Sequence, residues 1–136
     1  MTKWEREALS FDALREANVR RCEDAFHPVS DWSLTDWATA AAGELGEACN
    51  VIKKMRRFEG SHNDPALNID PSSDAGQKAL AYEIADTVIY LDLLAARAGI
   101  DLGRAVCEKF NIVSERVGSA IRLDAALAAD EKGKGV

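Results

Sequence analysis

The sequence predicts an all-α fold, a bundle of four to five helices. Two observations predict it: four segments space their apolar residues as helices do, and no segment alternates apolar and polar residues in the manner of a strand. The chain has 136 residues, of which 47% are hydrophobic and only 3 are proline. A chain of this length can bury a core of its own, so we expect a single helical domain over residues 1–136.

The first two helices have clear start and stop signals. The first is expected from near Ser10 to about Phe26, where a His-Pro pair ends it. The second opens with the sequence Ser-Leu-Thr-Asp at 33–36, which resembles a capping box, and runs to about Phe58, because Gly60 then stops it.

A long polar segment separates the first two helices from the third. Residues 59–76 are rich in Ser, Asn, Asp, Pro and Gly, which predicts a loop, and loops of this length often serve as lids. The third helix should begin near Asp74, with Gln77 as its capping partner, and end at Gly99.

The fourth helix and the C-terminal tail follow. Asp101 is placed to cap a helix that reaches about Val117, with Gly118 beyond it. A weaker helical segment is expected over 123–130, and we expect residues 131–136 to be disordered.

Composition excludes several classes of protein. The net charge of −6 argues against binding to the phosphate backbone of a nucleic acid, which needs clustered Lys and Arg. The longest apolar stretches, such as 88–91, are far too short to span a membrane, and the charged N-terminus lacks a signal-peptide pattern, so we expect a cytoplasmic protein. Cys22, Cys49 and Cys107 form no metal-binding pair and are expected to be core thiols.

Acidic residues on the apolar helix faces are the most informative feature. Glu44 and Glu47 lie about 60° apart around the second helix, and Glu83 and Asp86 have the same spacing on the third. The first pair shares its side of the helix with apolar residues, namely Trp37, Ala40, Ala48, Val51 and Met55. Both acids of that pair are therefore expected to point inward, and buried carboxylates without partners cost several kcal/mol. Two antiparallel helices could gather all four around a cluster of divalent cations.

The ligand type indicates the metal. Neither acidic pair contains histidine, and an all-oxygen ligand set favours Mg²⁺ or Mn²⁺. Because Mg²⁺ usually completes its shell with substrate phosphates, this set points to a phosphorylated substrate. Structural ion pairing is the alternative, with Lys54 near Glu47 and Arg97 following Asp86.

The two acidic motifs resemble those of a known family. Gly-Glu-Leu-Gly-Glu at 43–47, followed by Glu-Ile-Ala-Asp-Thr-Val-Ile-Tyr at 83–90, is similar to the MazG-like nucleotide pyrophosphohydrolases of the all-α NTP pyrophosphatase superfamily. The similarity extends to further segments, namely 32–37, Lys53-Lys54, 99–102 and Lys109-Phe110. The resemblance implies an Mg²⁺-dependent enzyme that hydrolyses a nucleoside triphosphate to the monophosphate and pyrophosphate, often as a dimer or tetramer. Residues 58–77 depart from the family pattern and leave the base preference open.

Resemblance and helix geometry together assign the metal ligands. They are Glu44, Glu47, Glu83 and Asp86, and Glu47 is also assigned to orient or deprotonate the attacking water.

Four further residues are assigned to the substrate. Lys54 and Lys109 are the cationic candidates for the phosphates, because negative charge builds there in the transition state. Trp32 and Tyr90 are aromatic candidates for the base, whereas Trp37 is assigned to the core.

The third helix also predicts assembly. Its apolar residues spread around nearly the whole circumference, and a small bundle cannot cover all of them. We therefore expect at least a homodimer, in which one subunit can contribute residues to the active site of the other. Two other functions stay open: a metal-dependent phosphohydrolase acting on another phosphate ester, and a non-enzymatic helical oligomerisation module.

Overall fold

A computed structural model describes residues 9–60, 64 and 66–124. Within these residues the chain forms four α-helices and one 3₁₀ turn at Val29–Asp31, and no strand, so the all-α prediction is confirmed. The helices are α1 (Phe11–Ala25), α2 (Leu34–Glu59), α3 (Asp74–Arg97) and α4 (Leu102–Arg116). None of these helices combines the length and the apolar character needed to cross a lipid bilayer.

Local capping explains why the helices begin where they do. The Ser10 hydroxyl accepts a hydrogen bond from the Ala13 amide at 3.0 Å and caps α1. At the start of α2 the Ser33 hydroxyl accepts from the Asp36 amide at 3.2 Å, while the Asp36 carboxylate accepts from the Ser33 amide at 2.8 Å. The predicted capping box is therefore confirmed.

Glycine ends two of the helices. Gly99, with φ of +69°, donates to the Ala96 carbonyl at 3.0 Å after α3, and Ile100 donates to the Ala95 carbonyl at 2.8 Å. Gly118, with φ of +72°, ends α4 in the same way. An L side chain rarely adopts such a φ, so these two positions favour glycine.

Helix α3 begins at Asp74, as predicted, but the residue that caps it differs from the prediction. Ser73 caps this helix, because its hydroxyl accepts from the Gly76 amide at 2.9 Å, and Asp74 is instead the first helical residue. The side chain of Gln77 donates to the carbonyl of Pro71 rather than to Asp74. A Cβ at Gly76 would collide with the Asp70 carbonyl oxygen, so glycine lets the loop pass close over the first turn of the helix.

The described end of the chain is not helical. Leu123 lies in a segment without regular secondary structure, and the Asn111 side chain on α4 both donates to its carbonyl and accepts from its amide, each at 2.8 Å. The prediction of a weak helix over 123–130 is thus wrong for residues 123 and 124. Its remainder, and the predicted disorder of 131–136, lie outside the described residues.

The described residues divide into two compact units, one within 9–31 and 95–124 and the other within 32–94. We call these the first and the second unit. Cys22 and Val29 are buried in the first, in which Gly103 lies close to the Phe11 side chain. Of the three predicted core thiols only Cys22 is buried. Cys49 is exposed and Cys107 is half-buried, so the prediction is wrong for Cys49.

Helices α2 and α3 are antiparallel in the second unit. The ring of Trp37 lies 6.2 Å from that of Tyr90, and Glu44 approaches Glu83, so increasing numbers on α2 match decreasing numbers on α3. The buried residues of α2 are Trp37, Ala41, Ala48 and Met55. These helices supply all four predicted metal ligands.

Candidate metal centre

Three of the four predicted ligands come together in the second unit. Glu44 of α2 and Glu83 and Asp86 of α3 each place one carboxylate oxygen within 4.8 Å of the other two. Glu44 and Glu83 are half-buried, whereas Asp86 is exposed. The three acids thus form a group that is open to solvent on the Asp86 side.

Helix geometry explains this convergence. Glu83 and Asp86 are three residues apart on α3, so their side chains leave the helix about 60° from each other. Glu44 lies about 30° from the middle of the buried face of α2, which brings its carboxylate to the edge of the contact with α3.

Glu47 lies outside this group. It is exposed, because the buried face of α2 is centred on Ala41 and Ala48 and Glu47 is rotated about 90° from it. The expectation that both acids of the first pair point inward is therefore wrong for Glu47. Its negative charge nevertheless acts on Glu44, so Glu47 is near the group without being one of its three members.

The electrostatics of the group favour a cation. Partial burial raises the pKa of the Glu44 carboxyl above its usual range, and the negative charges of Asp86, Glu83 and Glu47 raise it further. Among the described residues, no Lys or Arg forms an ion pair with any of these four acids. Structural ion pairing of Lys54 with Glu47, the alternative to a metal site, is therefore absent from the described part of the chain.

The donor set fits Mg²⁺. All three converging groups offer carboxylate oxygen, and neither His nor Cys belongs to the group among the described residues. Mg²⁺ prefers six oxygen ligands and retains several waters. Three carboxylate oxygens would leave coordination positions for water and for further oxygen ligands.

An aromatic cluster adjoins the acids along the same two helices. The rings of Trp32 and Trp37 lie 4.6 Å apart and tilted by 51°, and Trp37 in turn contacts Tyr90. Trp37 is only 2% exposed, as its assignment to the core predicts, whereas Trp32 and Tyr90 are half-buried. Trp37 precedes Glu44 by seven residues, so the cluster lies about 10 Å along the helix from the acids.

The contact of Trp37 with both Trp32 and Tyr90 was not predicted from the sequence. The buried ring of Trp37 touches both of the aromatic residues that were assigned to the base, and it thereby fixes their spacing. The sequence does contain a signal for the position of Trp37 beside the acids. Trp37 and Glu44 are seven residues apart and so lie on one side of α2.

The two predicted cations are placed differently. Lys54 is half-buried on α2, about 15 Å along the helix from Glu44, and its carbonyl accepts a hydrogen bond from the Ile69 amide of the loop at 3.2 Å. Lys109 is exposed on α4, in the first unit.

The chain matches no model of a known protein family, and no curated protein is significantly similar to it. What the acidic group does must therefore be inferred from its own residues.

Proposed function

We propose that the protein is an Mg²⁺-dependent nucleotide pyrophosphohydrolase of the cytoplasm, which converts an NTP or dNTP to the monophosphate and pyrophosphate. One observation carries the proposal: carboxylate oxygens of Glu44, Glu83 and Asp86 lie within 4.8 Å of one another on two antiparallel helices. These acids belong to the two motifs that resemble the MazG-like enzymes, and this resemblance supports the choice of reaction.

The three converging acids would hold Mg²⁺, with Mn²⁺ as a substitute and Glu47 as a fourth acid at the edge. When bound, the metal would neutralise phosphate charge and lower the pKa of a bound water. The exposed carboxylate of Glu47 stands beside the group and can accept a proton from the attacking water. Glu44 and Glu83, half-buried, would keep fixed positions during the reaction.

Substrate recognition is assigned to aromatic residues of the second unit and to two lysines. Trp32 is held against the buried ring of Trp37, so it offers a base a stacking surface that is already ordered. Tyr90 contacts the same ring from α3. Lys54 and Lys109 remain the cationic residues proposed for the phosphates.

The test is hydrolysis of a panel of canonical and modified NTPs and dNTPs with Mg²⁺, resolving monophosphate, pyrophosphate and orthophosphate. We expect monophosphate and pyrophosphate in equal amounts, and none of either from the Glu83→Gln variant. Orthophosphate as the product would favour the phosphohydrolase on another phosphate ester. No turnover, together with no effect of Mg²⁺ on stability, would favour the oligomerisation module and overturn the proposal.

A further inference from the structure

Two tryptophans flank the capped start of α2. Ser33 is the N-cap of this helix, so Trp32 is the residue before the cap and Trp37 is the fourth residue within the helix. Apolar residues at these two positions often pack against each other, an arrangement called a hydrophobic staple. The ring centroids of Trp32 and Trp37 lie 4.6 Å apart, so α2 begins with such a staple. A staple determines the angle at which the chain enters the helix.

Trp37 is the fixed half of this staple. Its side chain is 2% exposed, and its ring lies 6.2 Å from that of Tyr90 on α3. Buried side chains that pack against a second helix keep a single rotamer, because the interior leaves no room for another. Trp32 is half-buried and precedes the helix, so packing holds it less firmly. The backbone on either side of Trp32 therefore decides how constantly its ring stays against Trp37.

The carboxylate of Asp36 holds that backbone. Asp36 Oδ2 accepts hydrogen bonds from the Ser33 amide and from the Ser33 hydroxyl, each at 2.8 Å. The Ser33 amide belongs to the planar peptide group that joins Trp32 to Ser33, so a bond to this N–H fixes the orientation of the whole group. It thereby fixes the direction in which Trp32 leaves the helix. The same bonds lower the pKa of Asp36, so the carboxyl is ionised at pH 7, and an ionised group is the stronger acceptor.

The order of Trp32 determines how well its ring can bind a base. A surface that is already ordered loses less entropy on binding than a mobile one. We propose that Asp36 is a positioning residue for the nucleotide: it closes the capping box, and the box and the staple together hold Trp32 where the base stacks. This inference rests on the proposed function, in which Trp32 is the stacking surface. In this role Asp36 touches neither the substrate nor the metal, so its loss should weaken binding and leave the chemical step unchanged.

The first test is the KM and kcat of the nucleotide that the wild type hydrolyses fastest with Mg²⁺. Asp36→Ala should raise KM about tenfold, within the range that base–aromatic stacking contributes, and leave kcat unchanged. Asp36→Glu should restore KM, because glutamate is the usual third helical residue of a capping box. Asp101→Ala is the matched control. It removes the acid that caps α4 through the Arg104 amide, and it should leave KM at the wild-type value.

A double variant shows whether Asp36 acts through Trp32. Trp32→Ala should raise KM at least as much as Asp36→Ala does. The double variant Trp32→Ala/Asp36→Ala should have the same KM as Trp32→Ala, because a residue that only positions the ring has no effect once the ring is removed. Increases in KM that add up in the double variant, or an unchanged KM in Asp36→Ala, would overturn the proposal.

Circular dichroism tests the positioning without any substrate. Two indole rings in contact couple their electronic transitions and give a far-UV couplet, which Trp32→Phe assigns by removing it. Asp36→Ala should lose most of this couplet and keep the helical signal, whereas Asp36→Glu and Asp101→Ala should keep both. A couplet that survives in Asp36→Ala would overturn the proposal, whatever the kinetics. If the wild type hydrolyses no nucleotide, the proposed function fails, and the couplet still decides whether Asp36 holds Trp32.

Discussion

Replacing Glu83 by Gln should reverse the order of thermal stability with and without Mg²⁺. At 4.8 Å, two unit charges repel by about 0.9 kcal/mol in a water-like dielectric. Without metal, Glu83→Gln relieves the repulsion of Glu83 by Glu44 and Asp86. We expect a gain of about 1 kcal/mol after screening, which corresponds to about 3.5 °C in Tm for 136 residues.

Mg²⁺ should have the opposite effect. For a dissociation constant of about 1 mM, 10 mM Mg²⁺ stabilises the wild type by about 1.4 kcal/mol, or about 5 °C. The Glu83→Gln variant lacks one ligand charge and should gain little. The wild type should therefore melt below the variant in chelator and above it in Mg²⁺.

Differential scanning calorimetry with and without 10 mM MgCl₂ measures this crossover. Glu115→Gln is the matched control, because it removes one exposed carboxylate from α4, and it should keep the wild-type response to Mg²⁺. Melting curves of the wild type that coincide in chelator and in Mg²⁺ would refute the metal site. A Glu83→Gln variant that responds to Mg²⁺ as the wild type does would refute the ligand assignment.

Three further predictions concern single positions. Glu47→Gln should weaken the Mg²⁺ shift in Tm less than Glu83→Gln does, because Glu47 lies outside the group of three, yet it should abolish turnover if Glu47 accepts the proton of water. Gly76→Ala should lower the free energy of unfolding by about 1–3 kcal/mol, because the added Cβ clashes with the loop. Gly43→Ala has open space around the added Cβ and should raise the free energy of unfolding by about 0.5–1 kcal/mol. Urea titrations measure both changes. Hydrogen bonds from Ser33 hold the pKa of Asp36 below its usual range, so Asp36→Asn should destabilise the protein at pH 7. In acid titrations, the difference in stability between the wild type and this variant should vanish as the pH falls through the lowered pKa.

The helix ends were predictable where a local signal fixed them. The Ser33 capping box and the glycines at 99 and 118 act through neighbouring backbone groups, so the sequence alone contains the interaction. The capping residue of α3 was harder to predict. Ser73 and Asp74 are adjacent and both can cap a helix, and the choice depended on the loop that packs over Gly76.

The rotation of α2 was the less predictable part of the site. Small alanines surround much of this helix, so the apolar pattern fits several rotations almost equally well. The predicted face included Ala40 and Val51, which are half-buried, whereas Ala41 is buried. This rotation leaves Glu44 beside α3 and turns Glu47 outward. The apolar pattern was thus precise enough to predict that three of the acids lie together, but not precise enough to predict the position of Glu47.

Hydrolysis in ¹⁸O-labelled water tests the central claim most directly. If the acidic group directs water to the α-phosphorus of a nucleoside triphosphate, the heavy oxygen will appear in the monophosphate and not in the pyrophosphate. The Glu83→Gln variant should release neither product above the rate in buffer. Label in pyrophosphate would place the attack on the β-phosphorus, and label in orthophosphate would show a phosphohydrolase instead. Either result would contradict the proposed reaction.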